Sequence, residues 1–83
     1  MWTKTIKVKY QGKLVSVQIW LDSDDGKGAT VIMRSMLNEY FLEENIVFNN
    51  RDAAYAFVTY CPYELAKEFL IREAISIGAY SAA

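Results

Sequence analysis

The sequence predicts an α+β fold. It reads as a two-layer sandwich in the order β-β-α-β-β-α, with a four-stranded antiparallel sheet and two helices on one face. Three observations carry this. Two alternating apolar/polar runs flank Gln11-Gly12. Two later segments, 29–44 and 62–77, place apolar residues at helical spacing. The chain has 83 residues, of which 53% are hydrophobic and 23% charged, enough for one core and one domain, 1–83.

The first strand covers residues 5–10. Ile6, Val8 and Tyr10 face one way, and Thr5, Lys7 and Lys9 the other. Gln11-Gly12 makes a tight turn into a second strand that ends at Leu21. Here Val15, Val17, Ile19 and Leu21 share one face, while Leu14, Ser16, Gln18 and Trp20 share the other. Residues 22–28, made of Asp, Ser, Gly and Lys, form a loop. A helix is expected from Ala29 to Glu44, with Ala29, Ile32, Met33, Met36, Leu37, Tyr40 and Phe41 as its apolar stripe. Ile46-Val47-Phe48 is a short strand, and Asn49-Asn50-Arg51-Asp52 a turn.

Ala53 to Tyr60 is the next strand, because aromatic and β-branched residues fill Tyr55–Tyr60. A helix capped by Asn50 is the alternative for Ala53-Ala54. The last helix opens at Pro62 and runs to Ile77, where Gly78 ends it. Ala66, Phe69, Leu70, Ala74 and Ile77 form its core stripe. Ile71 and Ile75 point elsewhere, either under the sheet edge or free for a partner. Ala79–Ala83 reads as a frayed tail.

This order resembles a ferredoxin-like fold whose last strand has moved to the front, with Gln11-Gly12 as the join. The resemblance implies that the second strand and Ala53–Tyr60 lie side by side in the centre of the sheet. The short apolar edge at Ile46–Phe48 leaves a swapped or dimeric sheet open.

The residues that are missing exclude much chemistry. There is no histidine, hence no imidazole base, no histidine zinc ligand and no Ser-His or Cys-His pair. The one cysteine, Cys61, forms no internal disulfide or thiolate cluster and reads as a small buried apolar residue. A reducing, cytoplasmic compartment fits that usage. Gly26-Lys27-Gly28 lacks the rest of a phosphate loop. Asp22-Ser23-Asp24-Asp25-Gly26 resembles the start of a calcium loop, but Ile32 stands where the bidentate Glu belongs. No metal, no cofactor and no enzymatic activity are expected. No apolar run is long enough for a membrane span, and Met1-Trp2-Thr3-Lys4-Thr5 carries no apolar leader core.

Charge is polarised although the net value is only -1. Residues 1–20 carry +4, residues 21–50 carry -4, and the remainder carries -1. A basic sheet edge beside an acidic loop and helix is a polarity a partner can read.

The sharpest motif is Tyr55-Ala56-Phe57-Val58-Thr59-Tyr60, which resembles the second half of the RNP1 motif of RNA-recognition-motif domains. Ile19-Trp20-Leu21 resembles the opening of that family's RNP2 strand. The resemblance covers about nine residues on two strands, and Ala53-Ala54 replaces the cation-glycine pair that opens RNP1. It implies that Trp20, Tyr55 and Phe57 stack bases on an open sheet face. Lys7 and Lys9 would share that face, and Arg51 would substitute for the missing cation.

Two functions follow as expectations. One is a small non-catalytic protein-binding module, using the aromatic sheet face and the patch at Ile71 and Ile75. Phage and mobile-element inhibitors of host defence, anti-CRISPR proteins among them, are analogous in size alone. The other is a single-stranded nucleic-acid binder through Trp20, Tyr55 and Phe57.

Overall fold

A computed structural model describes residues 3–37, 39–61 and 63–78. The elements are β1 (Thr3–Tyr10), β2 (Lys13–Asp24), β3 (Ala29–Leu37), β4 (Tyr40–Phe48), α1 (Arg51–Tyr60) and α2 (Tyr63–Ser76). The α+β class, the four antiparallel strands and the two helices are as the sequence predicts. The order is not: β-β-β-β-α-α replaces β-β-α-β-β-α. The strands form an uninterrupted meander, β1-β2-β3-β4, so β3 rather than residues 53–60 lies beside β2.

Two elements therefore change type. The expected helix 29–44 is a β-hairpin in which Leu37 pairs with Tyr40. Its core side carries Ala29, Val31, Met33, Ser35 and Leu37 at period two. The helical stripe arose because the other side also holds apolar residues, Ile32 and Met36. The expected strand 53–60 is α1. The Asn50 side chain accepts from the N–H groups of Asp52 (2.9 Å) and Ala53 (3.2 Å), the N-cap that starts a helix. Tyr55 and Phe57 are strand formers by propensity, but the cap and burial of Ala54 and Val58, four residues apart, outweigh that preference.

The β1–β2 turn has Gln11 at φ 49° and Gly12 at φ 80°, the positive values that a two-residue hairpin of the right twist requires. The α2 helix ends near the expected place, with Gly78 at φ 73° donating to the Ile75 carbonyl at 3.1 Å. The expectations for Pro62 and for Ala79–Ala83 lie outside the described residues.

One core fills the space between sheet and helices. Val8, Val17, Ile19, Val31, Met33 and Leu42 contribute from the strands, and Val58, Phe69 and Leu70 from the helices. The other sheet face has no layer over it among the described residues. Gly28 sits beside the end of β4, and a Cβ there would overlap the Phe48 carbonyl oxygen. Among the described residues, no helix is long and apolar enough to cross a membrane.

Candidate functional site

Strand alternation puts Leu14, Ser16, Gln18 and Trp20 of β2 on the uncovered face. The register places Ile32 opposite Trp20, and Arg34 opposite Gln18. It then sets Met36 against Phe41, Arg34 against Glu43, and Thr30 against Val47. Four large apolar side chains are mostly exposed on this face: Leu14 (73%), Met36 (61%), Phe41 (57%) and Val47 (74%). Lone exposed apolar residues are ordinary, but Leu14, Met36 and Phe41 line one depression and make a patch, with Val47 farther along β4.

Arg34 organises the centre. Its guanidinium carbon stands 4.8 Å from the Trp20 ring centroid and 4.8 Å from that of Phe41. Its Nη2 donates to Glu43 Oε2 at 2.7 Å. Cation–π contact and the ion pair fix an otherwise flexible side chain, so the two rings flank a held cation. Beside it lies a depression of about 540 Å³, lined by Leu14, Gln18, Arg34, Met36 and Phe41 among others. Lys7 and Lys9 occupy the same face on β1, so the apolar patch has a basic rim.

Of the residues singled out in the sequence, Trp20, Lys7 and Lys9 do share the uncovered face. Tyr55, Phe57 and Arg51 do not. All three lie on α1, in the helical layer, so the RNP1-like stretch supplies no stacking platform there. Phe57 packs against Phe48 with centroids 5.4 Å apart. Ile71 packs against the core, whereas Ile75 is 58% exposed, so the two form no exposed pair.

Arg51 and Tyr55 instead belong to a structural cluster. The register shift between Leu21 and Ser23 turns Asp24 toward the helical layer. There Asp24 Oδ2 accepts from Arg51 Nη2 (2.7 Å) and Nε (3.0 Å) and from the Tyr55 hydroxyl (3.2 Å). The Arg51 guanidinium, followed by the Gly26 N–H and Tyr55 hydroxyl, holds the Asp24 carboxyl below its ordinary range. The Gly28 and Lys27 N–H groups do the same to Asp25. Asp24 is thus engaged with α1 and its own loop, and Asp25 with its own loop. Burial pushes the Cys61 thiol up, against a smaller opposite pull from Lys4. Among the described residues, no group of three His, Cys, Asp or Glu is placed to hold a metal ion.

The sequence reading set Arg34 on the solvent side of an expected helix, Met36 and Phe41 on its buried stripe and Val47 in a short strand, so none of them was grouped with this face. A period-two reading of 30–36 would have grouped Thr30, Ile32, Arg34 and Met36 with Trp20. Compared with known proteins, the chain matches no family model, no curated protein and no solved structure.

Proposed function

We propose that the chain is a non-catalytic binding domain that docks another protein on the uncovered sheet face. The observation that carries this is the exposed set Leu14, Met36 and Phe41 around the held Arg34. Such a surface resembles an interface core: apolar and aromatic residues, one fixed arginine, and a charged rim. Lys7 and Lys9 on the rim favour a partner whose contact region is acidic outside and apolar inside. The finer reading, occlusion of a host-defence complex by a phage-encoded inhibitor, rests on size alone.

The test is comparative capture from the source cell or its host. Met36→Asp and Leu14→Asp place a charge on the patch, and Ile75→Asp places one on α2. The reading expects the first two to lose a partner that wild type and the α2 variant both retain. Equal retention by all four proteins would remove the sheet face from consideration.

Trp20, Lys7 and Lys9 on one face support a second reading, single-stranded nucleic-acid binding. It now rests on Trp20 and Phe41 rather than on Tyr55 and Phe57. A titration with single-stranded RNA and DNA, using Trp2→Phe so that Trp20 alone reports, separates the two. Quenching that weakens with salt favours nucleic acid; an unchanged signal favours protein.

A further inference from the structure

The two edges of the sheet are finished differently. On β1, Lys7 and Lys9 project with no ion pair among the described residues, and the Lys9 N–H donates outward to the Tyr63 hydroxyl at 3.0 Å. These devices blunt an edge. On β4, the two carboxylates are both neutralised. Glu43 pairs with Arg34, and Glu44 forms a two-pronged pair with Arg72 (2.7 and 3.1 Å).

The outward Lys9 N–H fixes the hydrogen-bonding parity of the whole sheet. Antiparallel strands alternate between residues bonded to one neighbour and residues facing the other way. With Lys9 facing out, Tyr10 bonds Lys13, Gln18 bonds Arg34, and Leu37 bonds Tyr40. The even residues of β4 therefore bond β3. The N–H and C=O groups of Phe41, Glu43, Asn45 and Val47 point to the free edge, and among the described residues none of them bonds a further strand.

The sequence of β4 is a palindrome in hydropathy: Tyr-Phe-Leu, then Glu-Glu-Asn, then Ile-Val-Phe. Its centre is Glu44. Two copies of β4 paired antiparallel about a two-fold axis at Glu44 would match Tyr40 with Phe48, Phe41 with Val47, Leu42 with Ile46 and Glu43 with Asn45. Every apolar residue meets an apolar one. In that same register all four outward residues meet outward residues, so every free backbone group on the strand finds a partner. Shifting the axis by one residue either way would set apolar against polar side chains and leave some of these outward groups beyond the partner strand. Glu44 meets Glu44 across the axis, each already balanced by Arg72.

We propose that β4 is a self-association edge, through which two copies form a symmetric dimer with a continuous eight-stranded sheet. The dimer doubles the uncovered face and places the exposed Phe41 and Val47 in cross-strand contact. It is independent of which partner, if any, that face binds.

Sedimentation over a concentration series tests the idea. Wild type is expected at twice the 9.5 kDa chain mass at high concentration, dissociating on dilution. Val47→Lys puts a charge into the Phe41 contact, and Asn45→Pro removes one outward N–H without touching the bonds to β3. Both are expected to be monomers at concentrations where wild type is dimeric, with circular dichroism unchanged. The register has its own test. In a Cys61→Ala background, Glu44→Cys should form a disulfide-linked dimer on mild oxidation, because residue 44 faces itself. Val47→Cys should not, since position 47 faces 41. A wild type that stays monomeric at about 100 µM would overturn the proposal. So would a dimer that survives both β4 variants, or linking at 47 and not at 44. None of these results bears on partner capture by the Met36 and Leu14 variants.

Discussion

Asp24 shows how one side chain joins three segments. It ends β2, accepts from Gly26 within its own loop, and accepts from Arg51 and Tyr55 on α1. Because Arg51, then Gly26, then Tyr55 stabilise the charged form, its folded carboxyl titrates below the ordinary value of 3.8. The unfolded chain titrates near that ordinary value. Stability from this site is thus complete above about pH 4 and is lost as pH falls through the folded value. Asp25 acts in the same direction through Gly28 and Lys27. Urea midpoints measured from pH 6 downward should therefore show wild type more stable than Asp24→Asn at pH 6. The gap should narrow below about pH 4, as the carboxylate is protonated. Parallel curves over the whole range would mean that Asp24 contributes geometry without charge.

At the scale of elements, helix α1 begins where Asn50 caps it and ends where Lys4 reaches over from β1. The Lys4 ammonium donates to the Thr59 carbonyl at 2.9 Å, a cation at the negative end of a helix whose last turn holds no basic residue of its own. Asn50→Ala should cost about 0.5–2 kcal/mol in a denaturant melt, and Asn50→Asp should restore most of it. A loss under the low end for Ala would say that packing of Ala54 and Val58 alone specifies this helix. That cap also marks the limit of what the sequence shows. Residues 5–21 were legible because Ile6, Val8 and Tyr10, then Val15, Val17 and Ile19, recur at period two around a Gly-containing turn. Residues 29–48 were not, because Ile32 and Met36 are apolar on the exposed side and mask the alternation. Residues 53–60 misled in the opposite sense: aromatic residues looked like strand, while the Asn50 signal was local, short and decisive. The candidate site inherits both errors. Trp20, Lys7 and Lys9 were readable from β1 and β2, whereas Arg34, Met36 and Phe41 needed the β3–β4 hairpin.

For the molecule as a whole, the sheet and the helical layer share one core among the described residues. The sheet buries Val8, Val17, Ile19, Val31, Met33 and Leu42 only because α1 and α2 cover them. Helix α2 spans the sheet, touching β1 through Tyr63 and β4 through Arg72. A two-layer domain of this length has about 4–12 kcal/mol of stability in all. Phe69 on α2 is fully buried in the shared core. Phe69→Ala should remove about 3–5 kcal/mol, a large share of that total. The loss should not be confined to α2. Trp20 lies on the opposite face of the sheet, away from both helices, so its fluorescence reports on strands that Phe69 supports only from behind. If the domain is one cooperative unit, Trp20 emission in a Trp2→Phe background and helical circular dichroism will fall together in urea, at a midpoint lowered equally for both probes. If the Trp20 transition stays at its wild-type midpoint while the helical signal is lost early, the meander stands without its helical layer. The uncovered face could then present itself to a partner even when α2 is detached.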